Sequence, residues 1–319
     1  MNTSLLVVIV ASAVAYGTPL LFAALGELLA ERSGVLNLGV EGMMLVGAVM
    51  GFLSVQHIGG DEVVALICAV LVAMLAGAGA ALILAFLVIT LRANQIVTGL
   101  ALTIFAGAAG LSSYIGNDFS LPDNPARFSF GPANLFGLQD VPIVGPIVFG
   151  QNVLVYFSWV CVIAVGLYLS RTRPGLEVRA VGESPATADA MGISVTKYRY
   201  LHTLAGGAFA GLGGACFSLA LTPQWVDGLT AGAGWIAIAL VIFAFWRADL
   251  CLVGAYVFGG LSALPLTLQA RGVTIAPQVF QSLPYVMTIF VLVLVSSGGA
   301  RRRLGAPAAL GEPYIREER

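Results

Sequence analysis

The residues best placed to do chemistry lie in a stretch that otherwise reads as membrane filling, RSGVLNLGVEGMMLVGAVMGF, Arg32 to Phe52. It carries Asn37 and Glu41, four residues apart, with Gly39 and Gly42 beside them. On a helix that spacing is a little over one turn, which sets amide and carboxylate on one face. An ionisable group inside a bilayer is expensive and normally faces the bundle interior or a water-filled path. The glycines mark a place where the helix unwinds or starts late, and broken helices lining a cavity recur in transporters. A second polar group, Asn94, Gln95 and Thr98, opens a later apolar segment, while Trp225, Asp227 and Trp235 surround the outer end of another. Three readings follow: contacts to a polar solute, a proton site at Glu41, or interhelical hydrogen bonds worth about 0.6 kcal/mol each.

Other chemistry lacks its residues. A Walker A loop needs Gly-Lys-Ser/Thr, and the single lysine, Lys197, follows Thr196. There is no GxSxG elbow or HExxH motif, and His57 and His202 fall at opposite membrane boundaries. Cys68, Cys161, Cys216 and Cys251 are scattered through apolar runs, without the spacing of a metal site or disulfide framework. A membrane-bound enzyme or scaffold would need a catalytic constellation that is not there. The formal net charge of −1 gives no pull toward nucleic acid.

The elements that must position the polar groups follow from composition. Of 319 residues, 59% are hydrophobic and 10% charged, where soluble domains run at about 25% charged. The expectation is an all-α polytopic membrane protein. Apolar runs near the length a bilayer needs lie at Leu5–Leu25, Val35–Val55, Val63–Leu91, Ile96–Ile115, Val153–Ser170, His202–Leu221, Gly228–Trp246, Leu252–Ala270 and Val279–Ser297. That is nine spans, with ten the nearest alternative, and Ile143–Phe149 and Gly228–Gly234 read as short re-entrant pieces. The third run is long, so a tilt or a kink near Gly77 and Gly79 is expected. With the N-terminus outside, every Lys and Arg except Arg127 and Arg271 falls on the inner side, as the positive-inside rule requires. The reading is N-out and C-in, with a membrane domain over residues 1–300 and a cytoplasmic tail over 301–319. The outer loop 117–152 is rich in Pro, Gly, Asn and Asp and reads as irregular.

The inner loop 171–200 contains a short helix pattern: Ser184 to cap, Pro185 at the first position, ATADAM, then Gly192 past the end. About two turns are too few to stand alone, so this helix calls for a partner surface. Two GxxxG pairs, Gly47–Gly51 and Gly207–Gly211, allow close helix approach in lipid.

Four segments carry a family resemblance. GELLAERSGVLNLGVEGMMLVGAVMGF resembles the second-helix signature of ABC-importer permeases of the branched-chain amino acid, ribose and nucleoside group. TRPGLEVRAVGESPATADAMGISVTKYR is similar to that group's cytoplasmic ATPase-docking loop, and GAGWIAIALVIFAFW to a later core segment. The tail LGEPYIREER is most like the nucleoside-type permeases. FAFWRAD departs from the pattern by lacking a glycine and proline around Trp246. The resemblance implies a type II importer fold in a bacterial inner membrane, with no cofactor in this chain. It further implies a partner ATPase that holds ATP and Mg, a second homologous permease and an extracytoplasmic solute-binding lipoprotein. Asn37, Gly39, Glu41 and Gly42 match the translocation-path motif; Gly175, Arg179, Gly182, Glu183, Pro185, Ala188 and Gly192 match the coupling loop. The implied activity is import of a small polar solute, nucleosides first. A sugar, a branched-chain amino acid, or proton-coupled secondary transport through Glu41 are the alternatives.

Overall fold

A computed structural model describes residues 2–107, 110–121, 125–133, 135–269, 277–296 and 305–316. Among them the regular elements are helical: α1 (Asn2–Arg32), α2 (Val40–His57), α3 (Glu62–Ala85), α4 (Gln95–Ala106), α5 (Leu111–Asp118), α6 (Val153–Arg171), α7 (Arg173–Glu183), α8 (Pro185–Ala190), α9 (Val195–Cys216), α10 (Ala233–Phe243), α11 (Ala248–Gln269) and α12 (Pro277–Ser296). Seven helical stretches among the described residues are long and apolar enough to cross a membrane. The α4 and α5 pair counts as one of these, and α10 is shorter. All nine expected spans overlap helices, with α12 in the ninth.

Three expectations change. The second run does not begin as a helix at Val35: residues 33–39 are non-helical and α2 starts at Val40, the late start that Gly39 and Gly42 mark. Asn37 and Glu41 therefore do not share a helical face. The seventh run is not a full span, because α10 has 11 residues and so rises only about 16 Å. Finally, α3 passes through Gly77 and Gly79 as one helix, and its extra length ends in a wide π-type turn at Phe86–Thr90.

At the centre of the bundle, α9 packs on α1, α2 and α3. Glycine makes this possible. A Cβ on Gly47 of α2 would collide with the Gly211 backbone, and one on Gly77 of α3 with Gly207 and Gly211. Both expected GxxxG pairs thus lie in this three-helix junction, with Gly51 seated against Ala73 and Ala215. Backbones this close gain dispersion contacts, the main packing force where lipid removes the hydrophobic drive between helices.

Candidate functional site

Glu41 stands in the first turn of α2 and is 7% exposed. Its Oε1 accepts from the Thr230 hydroxyl at 2.6 Å and the Gly232 amide at 2.9 Å, and its Oε2 from the Gly234 amide at 2.6 Å. Those amides open α10, so the carboxylate serves as the N-terminal anion of a half-helix, placed where backbone N–H groups and the helix dipole favour it. Thr230 lies 189 residues from Glu41 along the chain. Gly234 is required for the approach, since a Cβ there would overlap the Glu41 backbone. Gly232 enters α10 with φ of 85°, the left-handed region that suits glycine.

The segment before α2 climbs back into the bundle. The Asn37 amide donates to Glu27 Oε1 at 3.2 Å, and Glu27 is five residues, about 7.5 Å, before the end of α1. The Leu36 amide donates to Gln95 Oε1 at 2.7 Å, and the Thr103 hydroxyl to the Leu38 carbonyl at 2.8 Å. Asn37 accepts the Gly39 amide at 3.0 Å, closing a turn just ahead of α2. Gly39 packs on Leu102, and Gly42 on the Leu102 and Thr103 backbone. Asn94 caps α4 by accepting the Val97 amide, and the Thr98 hydroxyl donates to the Asn94 carbonyl. The expected path residues thus fall into two connected groups whose polar atoms are spent mainly on backbone. Trp235 stands apart, about one third exposed on α10.

Beside the Glu41-bound turn opens a cavity of about 380 Å³, bordered by Tyr16, Phe217, Thr230, Ser262 and Tyr285. The Tyr285 hydroxyl donates to the Ala231 carbonyl at 3.3 Å. At the other end of α10, the Trp246 indole N–H donates to the buried Glu31 carboxylate. Phe245 and Trp246 adopt φ of 50° and 53°, the left-handed region. The glycine missing from FAFWRAD therefore has a structural counterpart: two bulky residues in a conformation costing each about 1–2 kcal/mol. The Trp246 hydrogen bond and burial offset part of that cost.

The cytoplasmic loop contains α8 where the sequence places it, from Pro185, with Gly192 at φ of 83°. Ser184 acts differently from expectation, its hydroxyl donating to Thr187 Oγ1 at 2.7 Å instead of capping backbone. Ala188 is buried with Val181 and Val195, whereas Met191 on the same turn is 78% exposed. Gly175 and Gly182 also face inward, against the Tyr168 and Arg32 carbonyls, while Arg179, Glu183 and Gly192 are exposed and Pro185 is half-buried.

Sequence reasoning missed two parts of this platform. The first is α7, whose signal was available: Thr172 caps it by accepting the Gly175 amide at 3.1 Å, and Pro174 sits in its first turn. The second is the C-terminal segment 305–316, packed as a strap. Its Ala309 amide donates to the Gly182 carbonyl at 2.9 Å and its Gly311 amide to the Gly34 carbonyl at 3.2 Å. Buried Arg199 donates to the Glu312 carbonyl at 2.9 Å, and Arg316 pairs with Asp189 at 3.2 Å. The remainder of the expected tail, 301–304 and 317–319, lies outside the described residues.

Comparison with known proteins bears on this geometry as a whole. Residues 9–292 match the family described as branched-chain amino acid transport system / permease component. A putative glucose ABC transporter permease protein of Haloferax volcanii is 40% identical, covering 94% of this chain and 95% of its own. A guanosine ABC transporter permease protein of Bacillus subtilis is 33% identical over 99% of this chain and 98% of its own. A nucleoside ABC transporter permease protein of Lactococcus lactis is 33% identical over 98% of both. No solved structure gives a significant match. With a family match over most of its length and full-length relatives of this kind, the chain belongs to the branched-chain amino acid transport system permease family and is a multi-pass membrane subunit of an ABC transporter, not itself an enzyme.

Proposed function

We propose that this permease moves nucleosides inward across the cytoplasmic membrane by alternating access, as one half of a pair with a second, homologous permease. An extracytoplasmic lipoprotein delivers the solute, and the partner ATP-binding subunit, carrying ATP and Mg, drives the cycle through α8. The observation that carries the solute assignment is the end-to-end match to guanosine and nucleoside permeases. A glucose-type sugar is the second reading, favoured by the 40% identical relative. The two solutes share a hydroxylated ring, and a nucleoside adds a flat base.

Within this reading, the cavity beside Thr230 and Tyr285, with Trp235 on the same half-helix, meets the solute. The group Asn37, Gly39, Glu41, Gly42, Asn94, Gln95 and Thr98 holds the broken helices that shape the path. Proton coupling at Glu41 is disfavoured, because three donors and no acceptor already occupy its oxygens. On the inner side, Glu183 and Gly192 face the ATPase, and Arg179, in the same coupling loop, turns to the groove beside Arg32. Pro185 starts α8, and Gly175, Gly182 and Ala188 fasten it to the bundle.

The test is uptake of labelled guanosine, glucose and leucine into vesicles holding all subunits. ATP-dependent guanosine uptake, competed by other nucleosides, is expected. Glucose uptake alone would establish the sugar reading, leucine uptake alone the amino acid reading, and uptake without the ATPase under a pH gradient the proton-coupled one.

A further inference from the structure

We propose that the cytoplasmic end of α6 carries a binding site for one anionic phospholipid. A groove of about 490 Å³ lies between α6 and the start of α11, walled on α6 by Val162, Ile163, Gly166 and Leu167. Ile163 and Leu167 are more than half exposed, as side chains facing acyl chains are, and Gly166 leaves a furrow between them. Toward the cytoplasm the wall changes character: Arg32, Arg179 and Arg247 line the same groove, with Trp246 and Asp249. A second cavity, about 380 Å³, shares Arg32 and Arg179 and continues past Leu176, Glu183 and Pro307. An apolar furrow ending in guanidiniums has the profile of a lipid, chain above and phosphate below. Basic pockets between transmembrane helices on the cytoplasmic side hold headgroups in this manner.

The charges here call for an anion. Arg247 is paired with Asp249 at 2.6 Å. Arg32 donates to the Gly305 and Trp246 carbonyls and lies within reach of the Glu31 and Glu183 charges, while Arg179 beside it adds a like charge. Arg179 makes no hydrogen bond or ion pair among the described residues. Glu183 is the one carboxylate lining the second cavity, so two guanidiniums face one acid there. A phosphate diester can accept from both, and guanidinium geometry suits phosphate oxygens. The apolar wall assigns that phosphate to a lipid, since a free anion would leave the furrow along Gly166 unfilled. This assignment is independent of which solute the permease moves.

The test uses the full-length chain purified in mild detergent, with bound lipid counted by native mass spectrometry. Phosphatidylglycerol and phosphatidylcholine with identical acyl chains are supplied in turn. One phosphatidylglycerol retained where phosphatidylcholine is lost is expected, with affinity falling about tenfold or more in an Arg179→Gln/Arg247→Gln variant. Both residues are exposed, so the fold should survive. Gly166→Phe fills the furrow and should also release the lipid; its Cβ has room, the nearest atom being the Ala248 Cβ at 3.8 Å. Equal retention of the two lipids, or unchanged retention in the double variant, overturns the proposal. Displacement by millimolar inorganic phosphate with unaltered binding in Gly166→Phe would show a free-anion site and overturn it too.

Discussion

Glu41 and Arg199 are both buried, 7% and 2% exposed, yet the protein surrounds them very differently. The carboxylate receives three donors, two of them amides at the start of α10, and so closes the junction between two broken helices. The guanidinium donates to a single carbonyl, that of Glu312, whose charge also lies near it, and its Nε and Nη2 have no hydrogen-bond partner among the described residues. One charge is integrated into the membrane fold; the other holds a strap by one bond. The contrast makes a prediction about the proposed cycle: an α2–α10 junction of constant geometry, and a strap, tying α7, α8 and the α1–α2 turn together, that motion of α8 loosens.

The most severe way to test the fixed half is Glu41→Ala. Three donors would lose their acceptor inside the bundle, costing about 3 kcal/mol or more. Uptake should be abolished, with a matching fall in the unfolding midpoint. Glu41→Gln keeps one acceptor and should lose less. A Glu41→Ala protein of normal stability that merely bound solute weakly would make Glu41 a solute contact, and the comparison would fail. Next in size is Trp246→Phe at the far end of α10. It removes the donor to Glu31 and should cost about 2 kcal/mol, because a buried carboxylate loses a charge-assisted bond. Unchanged stability would show that α10 is anchored at its N-terminal end alone.

These two anchors also show how much was legible in the sequence. Glu41 stood out because a carboxylate in an apolar run is anomalous, and Gly42, Pro185 and Gly192 because backbone demands leave residue-type signatures. The GxxxG pairs were visible for the same reason. Gly39 and Gly42 signal the late start of α2, yet the apolar run extends back to Val35, because hydrophobicity counts side chains and is blind to whether the backbone is helical. Apolar character also disguised α10 as a full span. Thr230 gave no hint of its bond to Glu41, since nothing local connects residues 189 apart. The strap was least legible of all: Gly34 and Gly182 accept from it through backbone carbonyls, and Arg199 binds a backbone carbonyl of the strap, groups that every residue offers. Resemblance to a permease loop named candidate coupling residues without distinguishing Ala188, which packs inward, from Met191, which faces out.

On the releasing half, Gly192→Val tests the turn that follows α8. A β-branched residue at φ of 83° costs about 1–2 kcal/mol. Because Gly192 has open space around it, the strain should shift α8 and leave the bundle intact. ATP hydrolysis by the assembled complex should persist while solute moved per ATP falls. A parallel loss of hydrolysis and assembly would instead place Gly192 in the core of the fold.

The smallest expected effect on stability, and the sharpest test of the comparison, is Arg199→Met. Taking a guanidinium out of water is costly, and one carbonyl bond plus the nearby Glu312 charge, with two nitrogens unbonded among the described residues, repays only part of it. Methionine fills similar length with apolar atoms, so stability should change by less than about 1 kcal/mol in either direction. The strap, however, loses its central tie and retains the weaker ones, among them the Arg316–Asp189 pair, whose arginine is 74% exposed and worth at most about 1 kcal/mol. Trypsin should then cut at Arg316 faster than in the parent protein, and solute moved per ATP should drop without loss of the assembled complex. A fall of several kcal/mol would mean that Arg199 is as integral as Glu41. Full stability with unchanged cleavage and coupling would mean that the strap is fastened elsewhere and takes no part in the cycle. Only the combination of a stable bundle and a loosened strap fits a charge kept because it can let go.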